Sequence, residues 1–107
     1  MAVWTAKFAV REKPEAWLLD QWERSKPLRQ AYGCTYARLL RHATEPDTYF
    51  VFAEFLTFTG ARGFEQAAAL ELGGDGLAQF VDRQLVDFYS GDAVDAAEPR
   101  RAASASG

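Results

Sequence analysis

Residues 3–10, VWTAKFAV, place Trp4, Ala6, Phe8 and Val10 on one side and Val3, Thr5, Lys7 and Ala9 on the other, the period-two alternation of a strand. Arg11-Glu12-Lys13 is a polar connector. Pro14-Glu15 after it suits the first turn of a helix, where a missing N–H costs nothing and a carboxylate meets the positive end of the helix dipole. The spacing predicts a helix to about Ala31 that buries Leu18, Trp22, Ser25 and Leu28, with Trp17 and Leu19 flanking. Pro27 should kink or divide that helix, and Gly33 should end it.

Two further strands, about 34–42 and 49–57, enclose the turn Thr44-Glu45-Pro46-Asp47-Thr48. A hairpin lying on one core should alternate apolar with polar, yet here both faces carry bulk. Thr59 or Gly60 should cap a second long helix through FEQAAALEL that buries Phe64, Ala67, Ala68 and Leu70, with GGDG at 73–76 breaking it. Asp75 should then start a short helix to about Asp82. LVDFYS at 85–90 fits a final strand, with a helix continuing to Tyr89 as the alternative. From Asp92 the chain is small and polar, so the pattern gives one domain over 1–91 and a flexible tail over 92–107.

The order βαββαβ defines an α+β, ferredoxin-like domain: a four-stranded antiparallel sheet with helices on one face. The opposite face remains apolar, and a chain of 107 residues has no second layer to cover it. A homodimer through that sheet face is the expected solution.

Composition narrows the function. With 49% hydrophobic and 25% charged residues the chain is an ordinary globular one. A net charge of −3 and the lack of a basic stripe argue against a nucleic-acid partner. No segment approaches a membrane span, and MAVWTAKFAV is too short in its apolar run for a signal peptide. The single cysteine, Cys34, forms no intrachain disulfide and fits a cytoplasmic location. His42 is the only histidine, which excludes Cys/His metal clusters, so no metal is expected.

Three segments together resemble the antibiotic biosynthesis monooxygenase family: WTAKFAVREKPEAWLLDQW, then YGCTYARLLRHATEPDTYFVFAEF, and the Ala-rich helix after GARGF. The likeness spans roughly residues 3–90, and the co-spacing of Gly33-Cys34, Arg41, Pro46 and Glu54-Phe55 is its most specific part. The resemblance implies a dimeric α+β barrel. It also implies a cofactor-independent monooxygenase that oxidises a reduced polyketide-like aromatic, anthrone or quinol with molecular oxygen. Other branches of that family degrade haem, using a histidine and an asparagine, or act as cyclases and isomerases. This chain has no asparagine, which sets the haem branch aside and keeps a non-catalytic ligand-binding dimer, or a polyketide cyclase, as alternatives.

Oxygenation without a cofactor needs an aromatic pocket, a group that helps the substrate ionise, and a donor that holds its anion. Tyr36 and Arg38 share a strand face, and a register setting Ala43 opposite Tyr49 puts Arg38 across from Glu54. In that arrangement Arg38 holds the anion, Tyr36 donates a hydrogen bond and Glu54 acts as base or orienter. The same three residues also read as a register-fixing ion pair with a neighbouring tyrosine. His42, beside the turn, is a further candidate base or an idle solvated side chain. Trp4, Phe8, Trp22, Phe52, Phe55 and Phe64 are the candidate substrate-binding aromatics, or plain core.

Overall fold

The structure is a computed structural model in which residues 1–74 and 79–96 are described. Seven elements follow in order: β1 (Ala2–Val10), α1 (Glu15–Arg24), α2 (Lys26–Ala31), β2 (Cys34–Arg41), β3 (Thr48–Phe55), α3 (Phe58–Gly74) and β4 (Val81–Tyr89). The strands form one antiparallel sheet in the order β2-β3-β1-β4. This is the ferredoxin-like α+β architecture, and β1 at its centre is its most buried strand.

Pro27 divides the first helix as its chemistry requires. It lacks the N–H that would reach back to Glu23, so α1 ends at Arg24 and α2 starts again beyond Ser25. Gly33 ends α2 with a φ of +89°, a conformation that only glycine adopts cheaply. The second long helix is capped two residues earlier than expected. Thr57, and not Thr59 or Gly60, accepts the Gly60 N–H on its hydroxyl at 3.0 Å.

The last strand begins at Val81, so the expected short helix does not reach Asp82, and the strand reading of 85–90 holds over its helical alternative. A bulge between Lys7 and Phe8 offsets the pairing of β1 with β4 and leaves Gln84 without a partner in the register. Exposure alternates through 81–84, but the inward position 83 carries an arginine and the extra residue shifts the phase before Leu85, so no apolar alternation marks 81–84 as strand. Asp75, the side chain of Leu70 and the tail beyond Ala96 lie outside the described residues.

One face of the sheet holds the core. Trp4, Ala6, Phe8 and Val10 of β1 and Tyr49, Val51, Ala53 and Phe55 of β3 pack against Leu18, Ala61, Phe64 and Ala68 from the helices. The other face carries exposed Tyr36, Leu40, Phe50, Leu85 and Tyr89, with no helix of the described residues over them. Among the described residues no helix is long and apolar enough to cross a membrane.

Candidate functional site

Between the sheet and the helices lies a cavity of about 200 Å³. β1 supplies Trp4, Ala6 and Phe8 to its floor, and α1 supplies Trp17, Gln21 and Trp22 to its roof. Phe64 and Ala68 of α3 and Arg83 of β4 close the remaining sides. The walls are predominantly apolar, with five aromatic rings among them, because alternation turns every second β1 side chain toward the helices, while the 3.6-residue period turns Leu18 and Trp22 back onto them. Trp4 meets Phe64 edge-on at 5.2 Å, and Phe64 lies tilted against Phe55 at 5.4 Å.

Two arginines frame this wall. Arg83 makes a forked pair with Glu65 on α3, with N–O distances of 2.7 and 2.8 Å. The same carboxylate accepts the indole N–H of Trp4 at 2.7 Å. The Arg83 guanidinium also lies 5.6 Å from the centre of the Trp4 ring. Glu65 therefore ties β1 and β4 to α3 and fixes two cavity side chains at once. Arg29 is only 5% exposed and stacks at 3.6 Å over the Trp22 ring. It donates to the Trp22 carbonyl at 2.9 Å and to the Ser25 hydroxyl. Burial pulls its pKa below the ordinary arginine value, against the opposing pull of Cys34 and Glu23. The charge sits at the C-terminal end of α1, where the helix dipole favours a cation.

Of the expected site residues, Trp4, Phe8, Trp22 and Phe64 line the cavity. Phe55 is fully buried behind Phe64, and Phe52 points to the opposite face. The expected pairing of Arg38 with Glu54 is corrected by two residues, since Arg38 stands across from Phe52 and Tyr36 across from Glu54. A shift by two preserves the faces. Tyr36, Arg38 and Glu54 do share a side of the sheet, but it is the side away from the helices, and none of them reaches the cavity. Tyr36 meets Phe52 edge-on at 6.3 Å there. His42 belongs to the hairpin turn, where its Nδ1 accepts backbone N–H groups from Thr44 and Glu45 at 3.1 and 2.8 Å. Cys34 is a half-buried thiol whose pKa burial pushes up, consistent with a structural role.

Glu65, Arg83 and Arg29 were missed in the sequence. A signal existed for two of them. Ala61, Phe64, Glu65 and Ala68 fall at i, i+3, i+4 and i+7, so Glu65 belongs to the buried stripe of its helix; Trp22, Ser25 and Arg29 fall likewise at i, i+3 and i+7. Arg83 had none, because the bulge beside it hides its strand. Among the described residues no three His, Cys, Asp or Glu side chains gather as a metal site.

No family model matches the chain, and no curated protein sequence does. Solved structures do. SnoaB from Streptomyces nogalater, a cofactor-independent oxygenase, superimposes with a TM-score of 0.68 at 13% identity, over 87% of this chain and 94% of its own. A candidate antibiotic biosynthesis monooxygenase from Bordetella bronchiseptica gives 0.68 at 19% identity, over 86% and 97%. NE2512 from Nitrosomonas europaea, a protein of unknown function, gives 0.60 at 22% identity, over 94% and 95%. At such identities the likeness is one of fold. The class defined is the ferredoxin-like α+β domain found in the antibiotic biosynthesis monooxygenases.

Proposed function

We propose that this protein is a monooxygenase, working without metal or flavin as a homodimer, that oxidises a reduced aromatic compound such as an anthrone or quinol with molecular oxygen. The observation that carries the reading is the aromatic cavity between sheet and helices, walled by Trp4, Phe8, Trp17, Trp22 and Phe64. Flat ring systems bury well against such walls, which also limit the access of solvent to a bound reactive intermediate. Fold likeness to a cofactor-independent oxygenase supports the same reading.

The electron balance asks nothing of a cofactor. Converting an anthrone methylene to a ketone releases four electrons, and one dioxygen takes up four in giving the ketone oxygen and one water. The substrate is thus its own reductant. The protein has to bind the ring and favour its ionised form, from which an electron passes to oxygen. The carbon–oxygen bond then forms, and loss of water breaks the oxygen–oxygen bond.

A non-catalytic carrier is the second reading, favoured by one observation: among the described residues neither a carboxylate nor a histidine lines the cavity. The same observation weighs against a cyclase or isomerase, which needs a positioned acid and base. Oxygen consumption by the chelator-treated protein against a panel of anthrones and naphthoquinols tests the choice. The oxygenase consumes one dioxygen per substrate, and Trp22→Ala lowers the rate by tenfold or more, about 1.4 kcal/mol of barrier. Binding of these compounds without oxygen consumption would establish the carrier instead.

A further inference from the structure

The polar part of the cavity wall is lopsided. Among the described residues, Gln21, Arg24, Ser25 and Arg83 are the polar side chains that reach it. The Ser25 hydroxyl is already committed, donating to the Trp22 carbonyl at 2.7 Å and accepting from Arg29. Arg24 stands exposed and pairs with Asp20 at 2.8 Å. What remains inside is Gln21 and one well-held cation, Arg83.

Arg83 spends two N–H groups on Glu65. A guanidinium carries five, and no other protein acceptor takes the remaining three among the described residues. Glu65 in turn uses three of its roughly four acceptor sites on Arg83 and Trp4, and it stands outside the cavity lining. The pair is therefore oriented, with its carboxylate toward α3 and its guanidinium toward the cavity. In an aromatic, poorly solvated wall such a dipole acts more strongly than it would in water.

We propose that the cavity takes its aromatic ligand as an anion, a carboxylate or an ionised phenol or enol, whose oxygen is received by the Arg83 guanidinium while Glu65 and Trp4 hold that guanidinium in the wall. The inference rests on the cavity being the ligand site of the function proposed above, and it supplies what that function lacks, a group that holds the ionised substrate. Arg83 contacts the ligand, and Glu65 is a positioning residue acting through it. The planar fork matches a carboxylate or a phenolate oxygen in a way that a lysine would not.

Calorimetric titration of the full chain with 2-naphthoate and with 2-naphthamide tests this, since the two share ring and size and differ in charge. The wild type should bind the acid roughly tenfold or more tightly than the amide, as a hydrogen-bonded charge pair implies. Arg83→Met should bring the two to parity by weakening the acid alone. Glu65→Gln keeps an acceptor for Trp4 but sets an amide N–H group against one arm of the fork, so Arg83 is no longer held in place and the acid should weaken severalfold while the amide is unmoved. A purely structural loss would weaken both ligands together. Equal binding of acid and amide, unmoved by Arg83→Met, would overturn the anion inference and leave the cavity as the ligand site. Binding of neither would overturn the proposed function along with it. If Arg83→Met fails to fold, Glu65→Gln decides alone, and an acid affinity that stays unchanged, or that falls only together with that of the amide, refutes the inference.

Discussion

Two buried phenylalanines in contact with each other should respond differently to truncation. Phe55 is 0% exposed and packs behind Phe64, which is 4% exposed and forms part of the cavity wall. Replacing a core phenylalanine with alanine costs about 3–5 kcal/mol, and the spread depends on the hole left behind. At Phe55 the hole is enclosed, which places Phe55→Ala near about 5 kcal/mol. At Phe64 it merges with a cavity already 200 Å³ in size, so Phe64→Ala belongs near about 3 kcal/mol from packing alone. Phe64→Ala also loses the edge-on contact with Trp4, which Phe55→Ala keeps, and that restores about 1 kcal/mol. The Phe55–Phe64 contact disappears in both and cancels. Phe55→Ala should therefore be the costlier by about 1 kcal/mol, or about 4–8 °C in midpoint for a domain of this size. Thermal unfolding at a fixed protomer concentration measures it, because an associating chain gains apparent stability with concentration. Naphthalene supplies the qualitative check, since it should raise the midpoint of Phe64→Ala and leave that of Phe55→Ala unmoved. An equal or greater loss at Phe64, or rescue of Phe55→Ala by naphthalene, would refute the picture of an open cavity in front of one ring and a closed core behind it.

Glu15 receives two donors from Arg41 and the Tyr49 hydroxyl at 3.1 Å, and the Arg41 hydrogen bond holds its carboxyl below the ordinary value of 4.5. A depressed folded-state pKa adds stability that is present above the unfolded value and lost as pH falls through the folded one. Glu15→Gln should therefore be less stable than wild type at pH 7, with the gap closing below pH 4.5; a gap that stays constant down to pH 3 would contradict this. On the open face, Leu40 and Phe50 stand opposite each other, 48% and 37% exposed. Sedimentation equilibrium should give the wild type twice the chain mass of 11.9 kDa and Leu40→Glu that mass alone, whereas a wild-type monomer would refute the dimer.

Much of this architecture is legible in the sequence, and the failures have physical causes. Alternation in VWTAKFAV identifies β1 and both of its faces, and Pro27 announces the divided helix. The excess of apolar residues in the hairpin anticipates the open face that carries Tyr36, Leu40 and Phe50. Register is not legible, because moving β2 by two residues along β3 leaves every side chain on its original face and changes only the partner. That ambiguity set Arg38 against Glu54 when its partner is Phe52. Which face holds the cavity was equally hidden, since both are apolar and only the docking of α1 and α3 distinguishes them. The Glu65–Arg83 pair joins residues from a helix and a bulged edge strand, a juxtaposition that no local pattern encodes.

The break between α1 and α2 links the cavity to the backbone. In an unbroken helix the Trp22 carbonyl would accept the Lys26 N–H; with the helix interrupted at Ser25 it accepts from the Ser25 hydroxyl and from Arg29 instead. Arg29 also covers the Trp22 ring at 3.6 Å, so one side chain satisfies the freed carbonyl and holds the aromatic wall. The cost of burying a guanidinium is offset here by hydrogen bonds, by the ring face and by the helix end, with no carboxylate partner required. A lysine could supply the charge, but it has no planar group to lie over the indole while donating past its edge. The cavity thus depends on two arginines used in different ways: Arg29 from behind, fixing the wall, and Arg83 from within, presenting its donors to whatever the wall encloses.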